Sequence, residues 1–292
     1  MRAAMPPAPP EDGLLAISDA EFDRFCDFIY RRTGMSFGEN RRYFVDRRLR
    51  DRIQAAGHAS FRDYFVMVMS DAREYEQLVS SLTVNETYFY REDHQFRCLT
   101  DSVLPRVTAR KRQGDTIRLW SLPCATGEEP YSIAIWLLEN WPSVDDWQVE
   151  IMGSDIDTHV VQAAMDGFYH SRSLMRLPPD LTARYFSREA GGQFRVIPDL
   201  RDSIRFSHVN VMDRGLMAAH GRFDVIFCRN MLIYFDEKSR REAIGNLYDC
   251  LEGDGFVFLG HAESMSRVSS LFQVRRFDDA IIYQKPAEGA HG

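Results

Sequence analysis

Two adjacent carboxylates follow the first predicted strand of the chain, at a place where nucleotide-binding folds usually have glycines. Residues 125–130 read ATGEEP, so Gly127 is followed directly by Glu128 and Glu129. A dinucleotide site would need more glycines here, so that a pyrophosphate could reach the helix N-terminus. Two carboxylates repel phosphate and favour a cation. The competing interpretation is that both glutamates only interact with the helix dipole.

A second acidic pair follows the next predicted strand, in the string GSDID. An acidic side chain at this position commonly accepts hydrogen bonds from the two hydroxyls of a ribose. Asp157 precedes Thr158 and is better explained as the N-cap of a helix, which leaves Asp155 as the ribose candidate. A ribose acceptor without a phosphate site predicts a nucleoside ligand that lacks phosphates. S-adenosylmethionine (SAM), with its sulfonium and ammonium charges, fits this description.

Polar residues also follow a later predicted strand. Others lie at the junction between an N-terminal half with helical spacing, residues 18–82, and the half of the chain that follows it. Arg229 and Asn230 end the apolar run FDVIFC, where they would be costly unless they faced a polar pocket. The string VNETYFYRE at residues 84–92 contributes Asn85 and Thr87, for which helix capping is the alternative role.

The elements that must position these residues differ between the two halves. From residue 18 to 82 the apolar spacing is helical, and Ser18 with Glu21 forms a capping box. Helices are predicted at about 40–56 and 60–69, with another after residue 71.

After residue 82, short apolar strands alternate with helical stretches. The predicted strands are 116–122, 147–156, 203–211, 223–230 and 255–261, and the predicted helices are 130–139, 158–165 and 238–251. This alternation predicts an α/β fold with a parallel sheet, whose ligands bind beyond the carboxyl ends of the strands. Residues 272–284 predict one closing edge strand, and the interruption near residues 168–201 predicts a small inserted subdomain.

The composition limits the possible function classes. The 292 residues have a formal net charge of −7, which disfavours a nucleic-acid-binding protein. The apolar fraction of 45% excludes disordered and collagen-like classes for the bulk of the chain. Five scattered cysteines without a CxxC pair predict neither a disulfide framework nor a metal site. Residues 1–17 are predicted to be a disordered leader and no signal peptide, so we expect a cytoplasmic protein without membrane insertion.

One stretch departs from the overall acidity, because residues 41–52 contain six arginines and only two aspartates. On a helix, Arg41, Arg48 and Arg52 would fall on one stripe beside an apolar stripe. A solvated charged face is the simplest interpretation of this pattern.

Six strings occur in an order that resembles one known family. They are VNETYFYRE, ATGEEPYSIA, GSDID, HVNV, FDVIFCRNMLIYFD and GHAES, and together they resemble CheR, the chemotaxis receptor methyltransferases that use SAM to methylate glutamate side chains. The resemblance extends over residues 18–284. It implies an all-α N-terminal domain at 18–82 and a Rossmann-like SAM-dependent methyltransferase domain at 83–292. A small β-subdomain is expected to be inserted at about 170–202.

The resemblance also implies roles for individual residues. Asp155 would hold the ribose, and Tyr234 would lie near the transferred methyl group and the incoming glutamate. No general base is needed, because a glutamate carboxylate is already ionised at neutral pH. Either Arg106 or Arg110 would approach the substrate, and the spacing does not decide between them. The remaining cofactor contacts implied by the family are Asn85, Thr87, Arg91, Glu128, Asn210, Val211, Arg229 and Asn230.

The implied partners are the acidic cytoplasmic methylation helices of chemoreceptors, against which the family uses a basic N-terminal helix. This favours substrate docking as the role of Arg41, Arg48 and Arg52. The stretch SREAGGQF is short, so we expect no dependence on the pentapeptide tether that some family members bind, and we expect a monomer. The product would be S-adenosylhomocysteine. The alternatives are a SAM-dependent methyltransferase with another substrate and a non-catalytic SAM-binding regulator.

Overall fold

A computed structural model describes residues 17–265 and 270–287, which divide into two compact units. The first unit contains the described residues up to Arg31 together with Phe37–Leu82. The second contains Arg32–Ser36 and the described residues from Thr83 onward. The predicted leader lies almost entirely outside the described residues.

The first unit is helical, as predicted. Its α-helices are α1 (Asp19–Thr33, of which the last two residues belong to the second unit), α2 (Arg42–Ala55), α3 (Phe61–Ser70) and α4 (Ala72–Leu82). The predicted capping box is confirmed, because the Glu21 amide donates to Ser18 Oγ at 3.4 Å and the Ser18 amide donates to Glu21 Oε2 at 2.9 Å. The apolar stripe of α2 is buried, whereas its arginines lie on the remaining faces.

The second unit alternates strands and helices. Its strands are β1 (Thr116–Ser121), β2 (Gln148–Asp155), β3 (Phe168–Tyr169), β4 (Phe186–Arg188), β5 (Phe194–Val196), β6 (Ile204–His208), β7 (Phe223–Cys228), β8 (Leu251–Leu259), β9 (Gln273–Arg276) and β10 (Ile281–Gln284). Its helices are α5 (Asp93–Cys98), α6 (Leu104–Thr108), α7 (Glu128–Asn140), α8 (Thr158–Asp166), α9 (Pro179–Tyr185), α10 (Pro198–Asp202), α11 (Arg214–Ala219) and α12 (Glu237–Asp249).

Within the described residues, the main sheet has seven strands in the order β6-β2-β1-β7-β8-β10-β9. The five strands from β6 to β8 are parallel, and β10 runs antiparallel to both of its neighbours. The strand order reverses between β1 and β7. A crevice forms beyond the carboxyl ends of the strands at such a reversal, and this is where open α/β sheets bind their ligands.

Three details differ from the expectations. Strand β8 begins four residues before the predicted strand, because a register shift near Asp254 (φ 62°) breaks the apolar pattern. Residues 272–284 form two strands where one was predicted. The inserted subdomain begins at β3 and is a three-stranded antiparallel sheet in the order β3-β5-β4.

The segment Arg32–Ser36 belongs to the second unit, although the sequence pattern places it with the helical half. Met35 forms an antiparallel bridge with Phe235, and the Ser36 amide donates to the Tyr234 carbonyl at 2.9 Å. Neither contact could be read from helical periodicity. Among the described residues, no helix is both long and apolar enough to span a membrane.

Candidate functional site

The turn after β1 approaches β2 closely. The Cys124 amide donates to the Ser154 carbonyl at 2.8 Å, which joins the turn to the neighbouring strand. Gly127 has φ 94°, and a Cβ atom there would lie 2.8 Å from Ala164 Cβ. Glycine is therefore required at this position both by backbone conformation and by the packing of α8.

Asp155 ends β2, and its side chain is buried with 2% of its surface exposed. Its carboxylate accepts hydrogen bonds from the Ala125 amide at 2.9 Å and from the Asp157 amide at 3.0 Å. Burial raises the pKa of Asp155 to about 6, although these amides oppose the shift. The carboxylate therefore faces the turn after β1 and retains lone pairs for a ligand.

Asp157 caps α8, as the sequence predicts, because it accepts a hydrogen bond from the His159 amide at 3.0 Å. It also binds the segment that leads into the second unit. Thr83 Oγ1 and Asn85 Nδ2 each donate to Asp157 Oδ2 at 2.9 Å. Asn85 is thereby held beside the end of β2, one strand away from Glu128.

Glu128 and Glu129 are adjacent in sequence but have different partners. Glu129 accepts hydrogen bonds from Ser121 Oγ at 2.8 Å and from Arg229 at 2.9 Å, and the latter contact is an ion pair. Glu128 is 2% exposed, and its side chain is bound by the hydroxyls of Thr126 and Ser173. Burial raises the pKa of both glutamates, but only that of Glu129 is lowered in turn by a cation.

Arg229 follows β7 and is buried by its own chain. It forms ion pairs with Glu129 at 2.9 Å and Glu92 at 3.2 Å, and it donates to the Arg91 carbonyl at 2.8 Å. Its side chain is 3% exposed, and Nε has no hydrogen-bond partner among the described residues. Arg229 thus joins three segments that are distant in sequence: the stretch before α5, the start of α7, and the loop after β7.

The loop after β7 continues through Asn230, which has φ 61°, into a 3₁₀ turn at Leu232–Tyr234. Tyr234 is half-buried, and its backbone carbonyl is bound by Ser36. Asn210 lies beyond β6 and donates from Nδ2 to the Arg32 carbonyl at 2.6 Å. The neighbouring Val211 is buried.

Arg91 and Thr87 lie on the stretch that precedes α5. Arg91 donates to the Glu86 carbonyl at 2.8 Å, and its guanidinium lies 5.8 Å from the centre of the Tyr88 ring. Thr87 is half-buried. Both residues therefore belong to the same segment as Asn85, which is bound to the end of β2.

The acceptor groups at the carboxyl ends of β1 and β2 fit a cationic nucleoside. Glu128 and Asp155 are both buried, yet neither has a cation within ion-pair distance among the described residues. A buried carboxylate without a counter-charge destabilises the ligand-free protein, and a positively charged ligand would compensate it. The described residues contain no group of three or more His, Cys, Asp or Glu side chains that could hold a metal ion.

Comparisons with known proteins agree with this geometry. Residues 85–281 match the model of the CheR methyltransferase SAM-binding domain, and residues 20–83 match that of the CheR all-alpha domain. The chain belongs to the CheR methyltransferase family. Chemotaxis protein methyltransferase 2 of Vibrio cholerae is 46% identical over 94% of this chain and 96% of its own length. The chemotaxis protein methyltransferase of Salmonella typhimurium is 38% identical over 89% of each chain.

CheR membership confirms the fold class, the enzyme class and the SAM cofactor predicted from the sequence. Of the predicted cofactor contacts, Asn85, Glu128, Asp155, Arg229 and Asn230 come from segments that meet at the carboxyl ends of β1, β2 and β7. Arg229 differs from the expectation in one respect, since its charge is already compensated by two glutamates of its own unit.

Arg106 and Arg110 have contacts outside this crevice. Arg110 donates to the Gly253 carbonyl at 2.9 Å, near the start of β8, and Arg106 lies 4.7 Å from the Phe277 ring centre. Gly253 is near the amino end of β8, which places Arg110 away from the site, whereas Phe277 follows the carboxyl end of β9, so Arg106 lies beside the outer strands of the sheet. Neither contact involves a predicted cofactor residue, and the expectation that one of the two arginines meets the substrate stays a prediction.

The three arginines predicted to dock the substrate all lie in the first unit and have different surroundings. Arg52 pairs with Glu74 at 2.6 Å, and the same carboxylate accepts a hydrogen bond from Tyr64 at 2.8 Å. The guanidinium of Arg48 lies 3.5 Å from the centre of the Phe44 ring, and no ion pair is formed by Arg48 within the described part of the chain. Arg41 ends the 3₁₀ turn that precedes α2.

Sequence reasoning missed Glu92 and Ser173. Glu92 pairs with Arg229, and Ser173 lies in the inserted subdomain, where its hydroxyl lowers the pKa of Glu128. Glu92 ends the string VNETYFYRE, so its place in that string was the available signal. No local pattern distinguishes Ser173 from other loop serines.

Proposed function

We propose that the chain transfers methyl groups from SAM to glutamate side chains on the cytoplasmic methylation helices of chemoreceptors, forming glutamate methyl esters. The observation that carries the proposal is the pair of buried carboxylates, Glu128 and Asp155, that lack a cation in a domain of the CheR family. The curated relatives named above are chemotaxis protein methyltransferases.

The residues of the crevice have distinct tasks in this mechanism. Asp155 accepts hydrogen bonds from the ribose hydroxyls, while Glu128 compensates positive charge on the amino-acid part of the ligand. Asn85 and Asn230 border the ligand from two sides. When bound, SAM supplies a methyl group on a positively charged sulfur, and S-adenosylhomocysteine remains after transfer to a carboxylate oxygen.

Positioning supplies most of the rate enhancement in this proposal. The attacking carboxylate is ionised at neutral pH and needs no base, so no proton transfer contributes to the barrier. Holding both reactants in line contributes about 7–11 kcal/mol in favourable cases. Tyr234 orients the incoming glutamate, and exclusion of water strengthens the attraction between the carboxylate and the cationic sulfur.

The first unit provides the docking surface in this proposal. Arg41, Arg48 and Arg52 contact the acidic receptor helix, and Arg48 contributes most because it has no ion-pair partner within the described residues. The connection from β4 to β5 is short, with Gly191 and Gly192 at its centre, so binding of a receptor tether is not required. The protein acts as a monomer.

Transfer of labelled methyl from SAM to receptor-bearing membranes tests the proposal. We expect incorporation that is released as methanol by mild base, because methyl esters hydrolyse under conditions that leave N-methyl groups intact. The Asp155→Ala variant provides the control and should incorporate little label. Base-stable label would identify a different methyl acceptor, and SAM binding without transfer to any receptor fragment would indicate a non-catalytic role.

A further inference from the structure

The string GHAES at the end of β8 contains a glutamate that points back into the protein. Glu263 Oε2 accepts hydrogen bonds from the Asn230 amide at 2.7 Å and from the Gly260 amide at 2.9 Å. The backbone amides of Leu232 and Ile233 also lower the pKa of this carboxyl group, against the raising effect of burial. Two hydrogen bonds thus join this carboxylate to the end of β8 and to the loop after β7, and two further amides of that loop lie close enough to affect its pKa.

This loop needs an acceptor because of its backbone conformation. Asn230 has φ 61°, which is uncommon for residues other than glycine, and Leu232–Tyr234 continues as a 3₁₀ turn. Successive amides in such a turn point into one concavity and form an anion-binding nest. The nest is filled by Glu263, a residue of the same unit, so the loop carries its own counter-ion.

Gly260 completes the contact by allowing the close approach of these groups. A Cβ atom at Gly260 would lie 2.8 Å from Asn230 Nδ2 and 2.9 Å from Glu263 Oε2. Both distances are shorter than real Cβ contacts, so a side chain at this position would displace the asparagine or the carboxylate. Glycine is required here by the proximity of the two side chains.

We propose that Glu263 is a positioning residue for methyl transfer, which fixes the turn from Asn230 to Tyr234 through its backbone amides. The inference rests on the proposed function, because Asn230 and Tyr234 act on the reactants there. Glu263 acts through the loop and is not itself a catalytic residue, since the oxygen that binds Asn230 and Gly260 is directed at backbone amides. The other oxygen, Oε1, is buried and has no partner among the described residues.

Three variants separate this role from a purely structural one. Glu263→Ala removes the acceptor, whereas Glu263→Gln keeps one oxygen in place for the amides of Asn230 and Gly260. Gly260→Ala displaces the contact while keeping the charge of Glu263. Glu252→Ala is the matched control, because this exposed glutamate lies near the opposite end of β8.

We expect Glu263→Ala and Gly260→Ala each to lower kcat about 10²-fold, the loss that displacement of a reacting group by about 1 Å produces. The Kd for SAM should change far less than kcat, because Glu128 and Asp155 are held by α7 and β2. Glu263→Gln should recover most of the lost rate, and Glu252→Ala should match the unchanged protein. The proposal is overturned if kcat of Glu263→Ala stays within about twofold of that protein, or if the affinity for SAM falls in parallel with kcat in all three variants.

A second readout does not depend on methyl transfer. In NMR spectra of the full chain, the amide proton of Asn230 should resonate far downfield because it donates to a carboxylate, and Glu263→Ala should abolish this shift. Absence of the shift in the unchanged protein would contradict the assigned contact. If the shift is present but no receptor methylation occurs, the proposed function fails while the contact stands.

Discussion

The arginine-rich helix α2 and the crevice at the carboxyl ends of β1 and β2 both concentrate charge of one sign, but they compensate it differently. On α2, Arg42 pairs with Asp19 at 2.7 Å and Arg52 pairs with Glu74 at 2.6 Å. In the crevice, Glu128 and Asp155 are more deeply buried and have only hydroxyl and amide donors. A buried charge left without a counter-charge is the stronger indication of a ligand, because burial makes it costly. The α2 arginines are only partly buried and have carboxylate partners, so they give a weaker indication of a ligand.

The largest effect is expected at Asp155. Replacing it with alanine removes an ionised acceptor that would bind two ribose hydroxyls, and each hydrogen bond to a charged group is worth about 1.5–3 kcal/mol. Methyl transfer at limiting SAM should therefore fall about 10²-fold or more in the Asp155→Ala variant. The matched control is Asp249→Ala, which removes an exposed carboxylate at the end of α12. Equal rates of methyl transfer for the two variants would show that Asp155 does not bind the ligand.

Glu128 and Glu129 lie in the same turn of α7, but only Glu129 has a cationic partner. Glu128→Gln should raise the thermal stability of the ligand-free protein, because it removes a buried charge that lacks a counter-ion. Glu129→Gln should lower the free energy of unfolding by about 1–3 kcal/mol, because Arg229 loses one of its two carboxylates. Thermal unfolding followed by circular dichroism measures both. Shifts of the same sign in the two variants would contradict the distinction between them.

The pH dependence of SAM binding tests the ionisation of the crevice. The pKa of Asp155 in the ligand-free protein is about 6, and the ligand hydroxyls bind the ionised form. Below that pH the carboxyl group is mostly protonated and must lose its proton before the ligand can bind. The Kd for SAM should therefore rise as the pH falls, with a slope that approaches about tenfold per pH unit. Calorimetric titration between pH 7.5 and pH 5 measures this dependence. In the control variant Asp155→Asn, the part of the dependence that comes from residue 155 should be absent. Affinity that increases on acidification would be the opposite of the expected sign.

The smallest effect is expected on α2. Arg48→Glu should raise the KM for receptor severalfold and leave SAM affinity unchanged, because exposed charge pairs contribute less than about 1 kcal/mol each. Arg31→Glu provides the matched control, since Arg31 is an exposed arginine of the same unit that pairs with Asp27. A loss of SAM affinity in Arg48→Glu, or an equal rise in KM in both variants, would argue against a specific docking role.

Local patterns predicted much of the fold correctly. The helices of the first unit, the strands β1, β2, β6 and β7 and the N-cap role of Asp157 all follow from residue spacing, which depends on near neighbours in sequence. The register shift in β8 was missed, because it depends on how Asp254 fits against the neighbouring strand.

The site was harder to predict than the fold, because its charges are compensated over long sequence distances. From the sequence, both glutamates of ATGEEP were expected to favour a cationic ligand. One of them, Glu129, is instead neutralised by Arg229, 100 residues later in the chain. The surroundings of Arg106 and Arg110 could not be predicted for the same reason, since they are formed by Phe277 and Gly253, which are distant in sequence.

The role of the two buried carboxylates is tested by calorimetric titration of SAM into the unchanged protein and into the Glu128→Gln/Asp155→Asn double variant at pH 7.5. We expect one SAM per chain to bind to the unchanged protein. We expect no measurable binding in the double variant, whose ligand-free thermal stability should equal or exceed that of the unchanged protein. Binding of SAM to the double variant with unchanged affinity would contradict the assignment of the two buried carboxylates.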